Sequence, residues 1–117
     1  MALVLTRNEL LATEIRTAEP SHALVMLEGE LDLSTSPQLY EEFAALARDG
    51  IKHVALNLAE LKFMDSSGLS AIIAEHKRAE AMGGELIIFS PRAKVRRLFE
   101  LTGLDEYLNI RPRLRSY

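Results

Sequence analysis

The chain of 117 residues contains no cysteine. Disulfides, thiolate nucleophiles and cysteine-ligated zinc or iron–sulfur sites are thereby excluded. Long apolar runs are missing too: no stretch approaches the ~18 residues that would suggest a membrane span. The first residues lack a charged region followed by a long apolar one, so no signal peptide is expected. A soluble, cytoplasmic protein is the expectation. Excess positive charge is absent as well. The net charge of −3 argues against a general nucleic-acid binder. Histidine is scarce, and His22, His53 and His76 show no ligand-type spacing such as H-E-x-x-H, so no metal site is expected. There is no P-loop and no recognisable nucleophile–base pair. Neither an enzyme nor a cofactor is expected.

What remains is an ordinary globular composition, 48% hydrophobic and 26% charged, without repeats, linkers or low-complexity segments. One domain over residues 1–117 is expected, with a core at about residues 11–110, a short N-terminal extension and a basic C-terminal one.

Short apolar strands alternate with amphipathic helices, which predicts an α/β architecture. Leu11 to Thr17 alternates Leu11, Thr13, Ile15 and Thr17 against Ala12, Glu14 and Arg16, a strand pattern. The turn at Glu19-Pro20-Ser21 and the apolar run Ala23 to Leu27, ending near Gly29, predict a hairpin partner. Ser34-Thr35-Ser36-Pro37 is a helix-start signal with Pro37 at the first helical position. Leu39, Phe43 and Leu46 form the stripe of that helix, which stops at Asp49-Gly50.

His53 to Leu58 is predicted as a buried strand. A second helix over Ser67 to Met82 should bury Leu69, Ile72, Ile73 and Ala79 and expose Glu75, Lys77 and Arg78, with His76 on its flank. Glu85 to Phe89 is a strand, parallel to the one starting at His53 through a right-handed crossover. Ser90-Pro91 opens a third helix with Val95, Leu98 and Phe99 on one face, ending at Thr102-Gly103-Leu104. Leu108 to Ile110 fits either a short strand or part of a last helix. Gly83-Gly84 follows a helix and precedes a strand, the reverse of a phosphate loop.

The chemically informative segment is Phe63-Met64-Asp65-Ser66-Ser67-Gly68-Leu69, where a strand hands over to a helix. Helix starts expose unpaired N–H groups and a positive dipole end, and they accommodate phosphate. A serine here is reachable by a kinase. Asp and Ser are also the favoured N-caps, and the local spacing does not separate a cap from a phosphosite. Gly68 is expected to leave room for close approach of a partner or a phosphate.

This segment resembles the signature of the STAS-domain anti-sigma-factor antagonists. Gly29-Glu30-Leu31-Asp32, Met82-Gly83-Gly84-Glu85-Leu86 and Arg97-Leu98-Phe99-Glu100-Leu101-Thr102-Gly103-Leu104 resemble three further segments of that family, in the same order. The match runs from about Ile15 to Leu108. The resemblance implies the STAS fold: a mixed β-sheet of about four to five strands with helices packed mainly on one side. It implies Ser66 as phosphoacceptor, with Ser67 as the rival. It implies a partner-binding surface at Asp32, Asp65, Ser66, Ser67 and Gly68. It implies that the unphosphorylated chain binds an anti-sigma factor that is also an ATP-dependent serine kinase, releasing the sigma factor, and that a PP2C-type phosphatase restores the binding form. A monomer or weak dimer is expected.

Met1 to Leu10 and the basic tail Arg111-Pro112-Arg113-Leu114-Arg115 lie outside the family motifs. With Arg92, Lys94, Arg96 and Arg97 the tail makes the C-terminal third basic. No aromatic residues interleave, so a solvated face is expected in preference to nucleic-acid binding. Glu30 and Asp32 are spaced as paired acids but are expected in a loop or at a partner edge. Two other function classes remain: a STAS accessory subunit of a membrane lipid-transport ATPase complex, and a small nucleotide hydrolase. The intact Asp65-Ser66-Ser67-Gly68 favours the regulatory module.

Overall fold

In the strand Leu11–Thr17 (β2), Leu11, Thr13 and Ile15 are buried while the residues between them are partly exposed, as the two-residue alternation requires. The computed structural model describes residues 2–7, 10–17 and 19–113. The chain runs through β1 (Ala2–Arg7), β2, β3 (His22–Leu31), α1 (Ser36–Arg48), β4 (His53–Met64), α2 (Ser66–Ala81), β5 (Glu85–Phe89), α3 (Ala93–Leu101), α4 (Leu104–Tyr107) and β6 (Asn109–Arg111).

One sheet of six strands follows chain order, β1 to β6. The β1–β2 and β2–β3 pairs are antiparallel, whereas β3–β4, β4–β5 and β5–β6 are parallel. Register carries one apolar row across the sheet: Ile15, Val25, Leu56, Ile88 and Ile110. The helices cover this face with Leu39, Phe43 and Leu46 of α1, Leu69 and Ile72 of α2, and Val95 and Phe99 of α3. Each such buried side chain contributes roughly 1.5–3 kcal/mol. A slip of one residue in β4 would turn His53 and Asn57 inward, so the register is held by the core itself.

The sheet has one strand more than the expected four to five. β1 lies in the segment with no counterpart in the family motifs. Its Leu3, Val4 and Leu5 are at least half exposed, so no burial alternation marks it; backbone pairing with β2 makes it a strand. At the other end Leu104–Tyr107 takes the helical turn and Asn109–Arg111 the strand, which resolves the two readings of Leu108 to Ile110. α1 begins at Ser36, one residue before Pro37. Leu114 and Arg115 of the basic tail lie outside the described residues.

Two expectations for α2 are corrected. Glu75, expected in solvent, is 2% exposed, and Arg78 is partly buried beside it. Arg78 donates from Nε to Glu75 Oε1 at 2.6 Å, from Nη2 to Oε2, and from Nη1 to the Ile51 carbonyl at 2.8 Å. The carboxylate enters the interior because its counter-charge enters with it. Ile73 is partly exposed while Ala71 is fully buried, so the buried stripe is rotated from the expected one. His76 is buried, edge-on to Tyr107 at 4.8 Å, and Lys77 is exposed. Register brings His22 and His53 into a stack at 4.5 Å, though no group of metal-ligating side chains forms among the described residues.

Candidate functional site

The site is built where β3 and β4 end side by side. Leu31 is in register with Met64, and the Asp65 amide donates to the Leu31 carbonyl at 3.2 Å. The two strands therefore deliver Asp32 and Asp65 to adjacent positions, ~4.8 Å being the spacing of paired strands. On the other side of β3, Gly29 lets the chain before β2 come close. Its φ of 113° is open to glycine alone, and a Cβ there would meet the Leu10 carbonyl oxygen at 2.1 Å. That oxygen accepts from the Glu30 amide at 2.9 Å.

Asp65 is the N-cap of α2. Its Oδ1 accepts from the amides of Ser67 at 2.8 Å and Gly68 at 3.3 Å. The cap and the candidate phosphoacceptor, which spacing alone left undivided, are different residues. Ser66 is the first helical residue; it is exposed, and its hydroxyl makes no hydrogen bond among the described residues. Ser67 is partly buried. Asp65→Ala should therefore destabilise the fold by about 1 kcal/mol. Ser66→Ala should cost less than about 0.5 kcal/mol. Urea denaturation of both variants checks this, and equal losses would refute the division of labour.

Gly68 is buried, and a Cβ would lie 2.7 Å from Met64 Cγ and 2.8 Å from Leu31 Cγ. The space left by the missing side chain is filled by the chain's own strand ends, which seat the first turn of α2.

Asp32 organises the loop before α1. Its Oδ1 accepts from the Ser34 hydroxyl at 2.8 Å, the Ser34 amide at 2.9 Å and the Thr35 amide at 3.2 Å. Thr35, although N-cap of α1, spends its hydroxyl on the Glu30 carbonyl at 2.9 Å and accepts from the Asp32 amide. Asp32 through its carboxylate and Glu30 through its backbone carbonyl thus brace a loop. The Ser34 hydroxyl above all, with the backbone amides of Ser34 and Thr35, holds Asp32 below its ordinary value of 3.8 against the opposing pull of desolvation. Because the folded value is the lower one, the brace is fully present above pH 3.8 and is lost as pH falls through the folded value. A carbon-13 titration of the Asp32 carboxylate should give a midpoint below 3.8. A midpoint above it would contradict the brace.

Two exposed apolar residues frame this acidic corner. Leu33 is 76% exposed directly after Asp32, and Phe63 is 46% exposed at the end of β4. Leu33 was not singled out from the sequence, though a leucine between Asp32 and Ser34 in a polar loop is a detectable signal. The corner therefore presents an exposed serine hydroxyl without a hydrogen bond among the described residues, two carboxylates engaged by their own loops, and apolar side chains facing water. No described helix is long and apolar enough to cross a membrane.

The sequence model of the STAS domain matches residues 14–117. The chain is similar to the anti-sigma-B factor antagonist of Staphylococcus aureus, 34% identical over 86 residues that cover 74% of this chain and 80% of the relative. An anti-sigma factor antagonist from Mycobacterium paratuberculosis superposes with a TM-score of 0.78 at 26% identity, covering 89% of this chain and 87% of that one. The Bacillus cell fate determinant SpoIIAA, in its phosphorylated form, shares the fold with a TM-score of 0.68 at 23% identity, covering 84% and 89%.

Proposed function

Because the chain belongs to the STAS domain family, we propose that it is an anti-sigma-factor antagonist whose binding is switched off by phosphorylation of Ser66. In its unmodified state the corner of Asp32, Leu33, Phe63 and Ser66 docks on an anti-sigma factor in the cytoplasm and frees the sigma factor. That anti-sigma factor carries the serine-kinase activity, and a PP2C-type phosphatase reverses the modification. The chain itself is a binding module and not an enzyme.

One observation carries this reading. The hydroxyl of Ser66 stands exposed at the start of α2, with no hydrogen bond among the described residues, while Asp65 does the capping. A phosphate there adds roughly 1.5 to 2 negative charges without dismantling the cap. Since Asp65 already takes the amides of Ser67 and Gly68, the phosphate is left pointing outward, beside Asp65 and Asp32. A partner surface shaped for a neutral hydroxyl then meets a dianion among carboxylates. The reading as a lipid-transport accessory subunit finds no support in the relatives' names, which are those of anti-sigma factor antagonists.

The test is to incubate the chain with its cognate kinase and ATP and map the phosphate by mass spectrometry. One phosphate on Ser66 is the expected result, and Ser67→Ala should still accept it. A phosphate on Ser67 would move the site by one residue. No phosphate on either serine, with a confirmed kinase partner in the tube, would end the switch.

A further inference from the structure

Beside the corner, α3 carries two stripes where its core packing needs one. Val95 and Phe99 are buried against the sheet. Lys94, Arg97, Leu98 and Leu101, spaced i, i+3, i+4 and i+7, form a second stripe along the same helix. Together with Lys62 and Phe63 of β4 they line a groove of about 250 Å³. Its apolar wall includes Leu101, 70% exposed, and Phe63, 46% exposed. Lys62, Lys94 and Arg97 are exposed around it, and none is in an ion pair among the described residues.

The acids nearest these cations form no ion pair with them among the described residues, Glu30 in register with Phe63 included. Glu60 pairs with Arg92 at 3.5 Å. Asp65 is bound to the amides of its own helix. Glu100 lines a different cavity, between α3, α4 and β6. A chain of net charge −3 thus gathers three cations, none ion-paired among the described residues, around one apolar groove. Met64, which also lines the groove, directly precedes Asp65, so groove and corner are continuous.

We propose that this groove is a second contact for the protein partner, taking an acidic amphipathic segment whose apolar side chains enter between Phe63, Leu98 and Leu101 while its carboxylates meet Lys62, Lys94 and Arg97. The proposal rests on the reading of the corner as a protein-docking site and adds the chemistry of what docks beside it. Rim charges of this kind set association rate, salt dependence and partner choice, leaving the switching to Ser66. A concave groove on an acidic chain fits an acidic polypeptide better than an anionic bilayer, which the net charge repels.

The probe is a fluorescent helical peptide of about 18 residues with leucines at i, i+3, i+4 and i+7 and glutamates on the flanks, compared with the same peptide carrying lysines. Anisotropy should show binding of the glutamate peptide alone, weakening with salt. Amide NMR shifts should centre on Lys62, Arg97 and Leu101. The double variant Lys94→Glu with Arg97→Glu should bind about tenfold more weakly or worse. Both residues are exposed, so its thermal melt should match the unaltered chain. Equal binding of both peptides, shifts centred elsewhere, or an unaffected double variant would overturn the proposal. So would groove-dependent binding to phosphatidylglycerol vesicles in place of the peptide. The two readings fail separately: peptide in the groove with Ser66 never phosphorylated sinks the switch alone, and an intact switch with an inert groove sinks this one alone.

Discussion

Phosphorylated on Ser66, the chain should bind its anti-sigma partner more than a hundredfold less tightly than the unmodified chain, a coupling of about 3 kcal/mol. The loss comes from charge and desolvation at the interface, so no refolding is required. Asp65 keeps its two amides and the core beneath α2 is untouched. Ser66→Ala should stay folded, bind like the unmodified chain, and never be released by ATP. Ser66→Glu should bind more weakly, but by less than the phosphoprotein, because it carries one charge where phosphate carries nearly two. Calorimetry with the purified partner, before and after phosphorylation, measures the difference. Affinities within about threefold of each other would remove the basis for a switch at this serine.

Arg78→Met should destabilise the fold by about 3–5 kcal/mol at neutral pH. That is a large share of the roughly 5–15 kcal/mol that holds a domain together. The loss stems less from a missing attraction than from what is left behind. Glu75 is 2% exposed, and Arg78 satisfies both of its oxygens while tying α2 to the Ile51 carbonyl. Burial already pushes the Glu75 carboxyl above its ordinary 4.5, with the Arg78 hydrogen bonds and charge opposing. Without Arg78 it rises further. The neutral acid's contribution is complete below the unfolded value and is lost as pH rises through the folded one. The variant's deficit should therefore shrink under mild acid, and urea denaturation at pH 7 and pH 5 shows whether it does. Pairing Arg78→Met with Glu75→Leu should recover much of the loss, since an apolar pair removes the stranded charge. A cost below about 1 kcal/mol for the single variant would mean that solvent reaches Glu75 after all.

Much of this architecture was legible wherever a pattern was local. Leu11 to Thr17 and Glu85 to Phe89 show in the chain as the same strands the structure contains, because alternation and short apolar runs record which side is buried. The stripe Leu39, Phe43, Leu46 marked α1 for the same reason. β1 was not legible, because pairing made it a strand without burying Leu3, Val4 or Leu5. Glu75 and Arg78 look like a solvated pair at i, i+3 in any helix; only the depth of α2 turns them into an interior ion pair.

The candidate site divides along the same line. Residue order alone placed Asp65-Ser66-Ser67-Gly68 at a strand-to-helix corner, because a strand run, hydroxyl and carboxylate caps and a helical stripe are each written within a few residues. It could not say that Asp65 caps while Ser66 stands exposed, since either residue has the chemistry to cap and only the backbone's path selects one. Nor could it say that the room at Gly68 belongs to Leu31 and Met64, or that Lys62 meets Arg97 and Leu101 across one groove. Those neighbours lie far apart in the chain. Parallel register brings Leu31 to Met64, and the packing of α3 on β4 brings the groove's two walls together. Composition and periodicity act over one turn or one strand, and so they determined the elements. Which elements touch is set by packing the whole core at once, and so the tertiary structure alone decided what surrounds the serine.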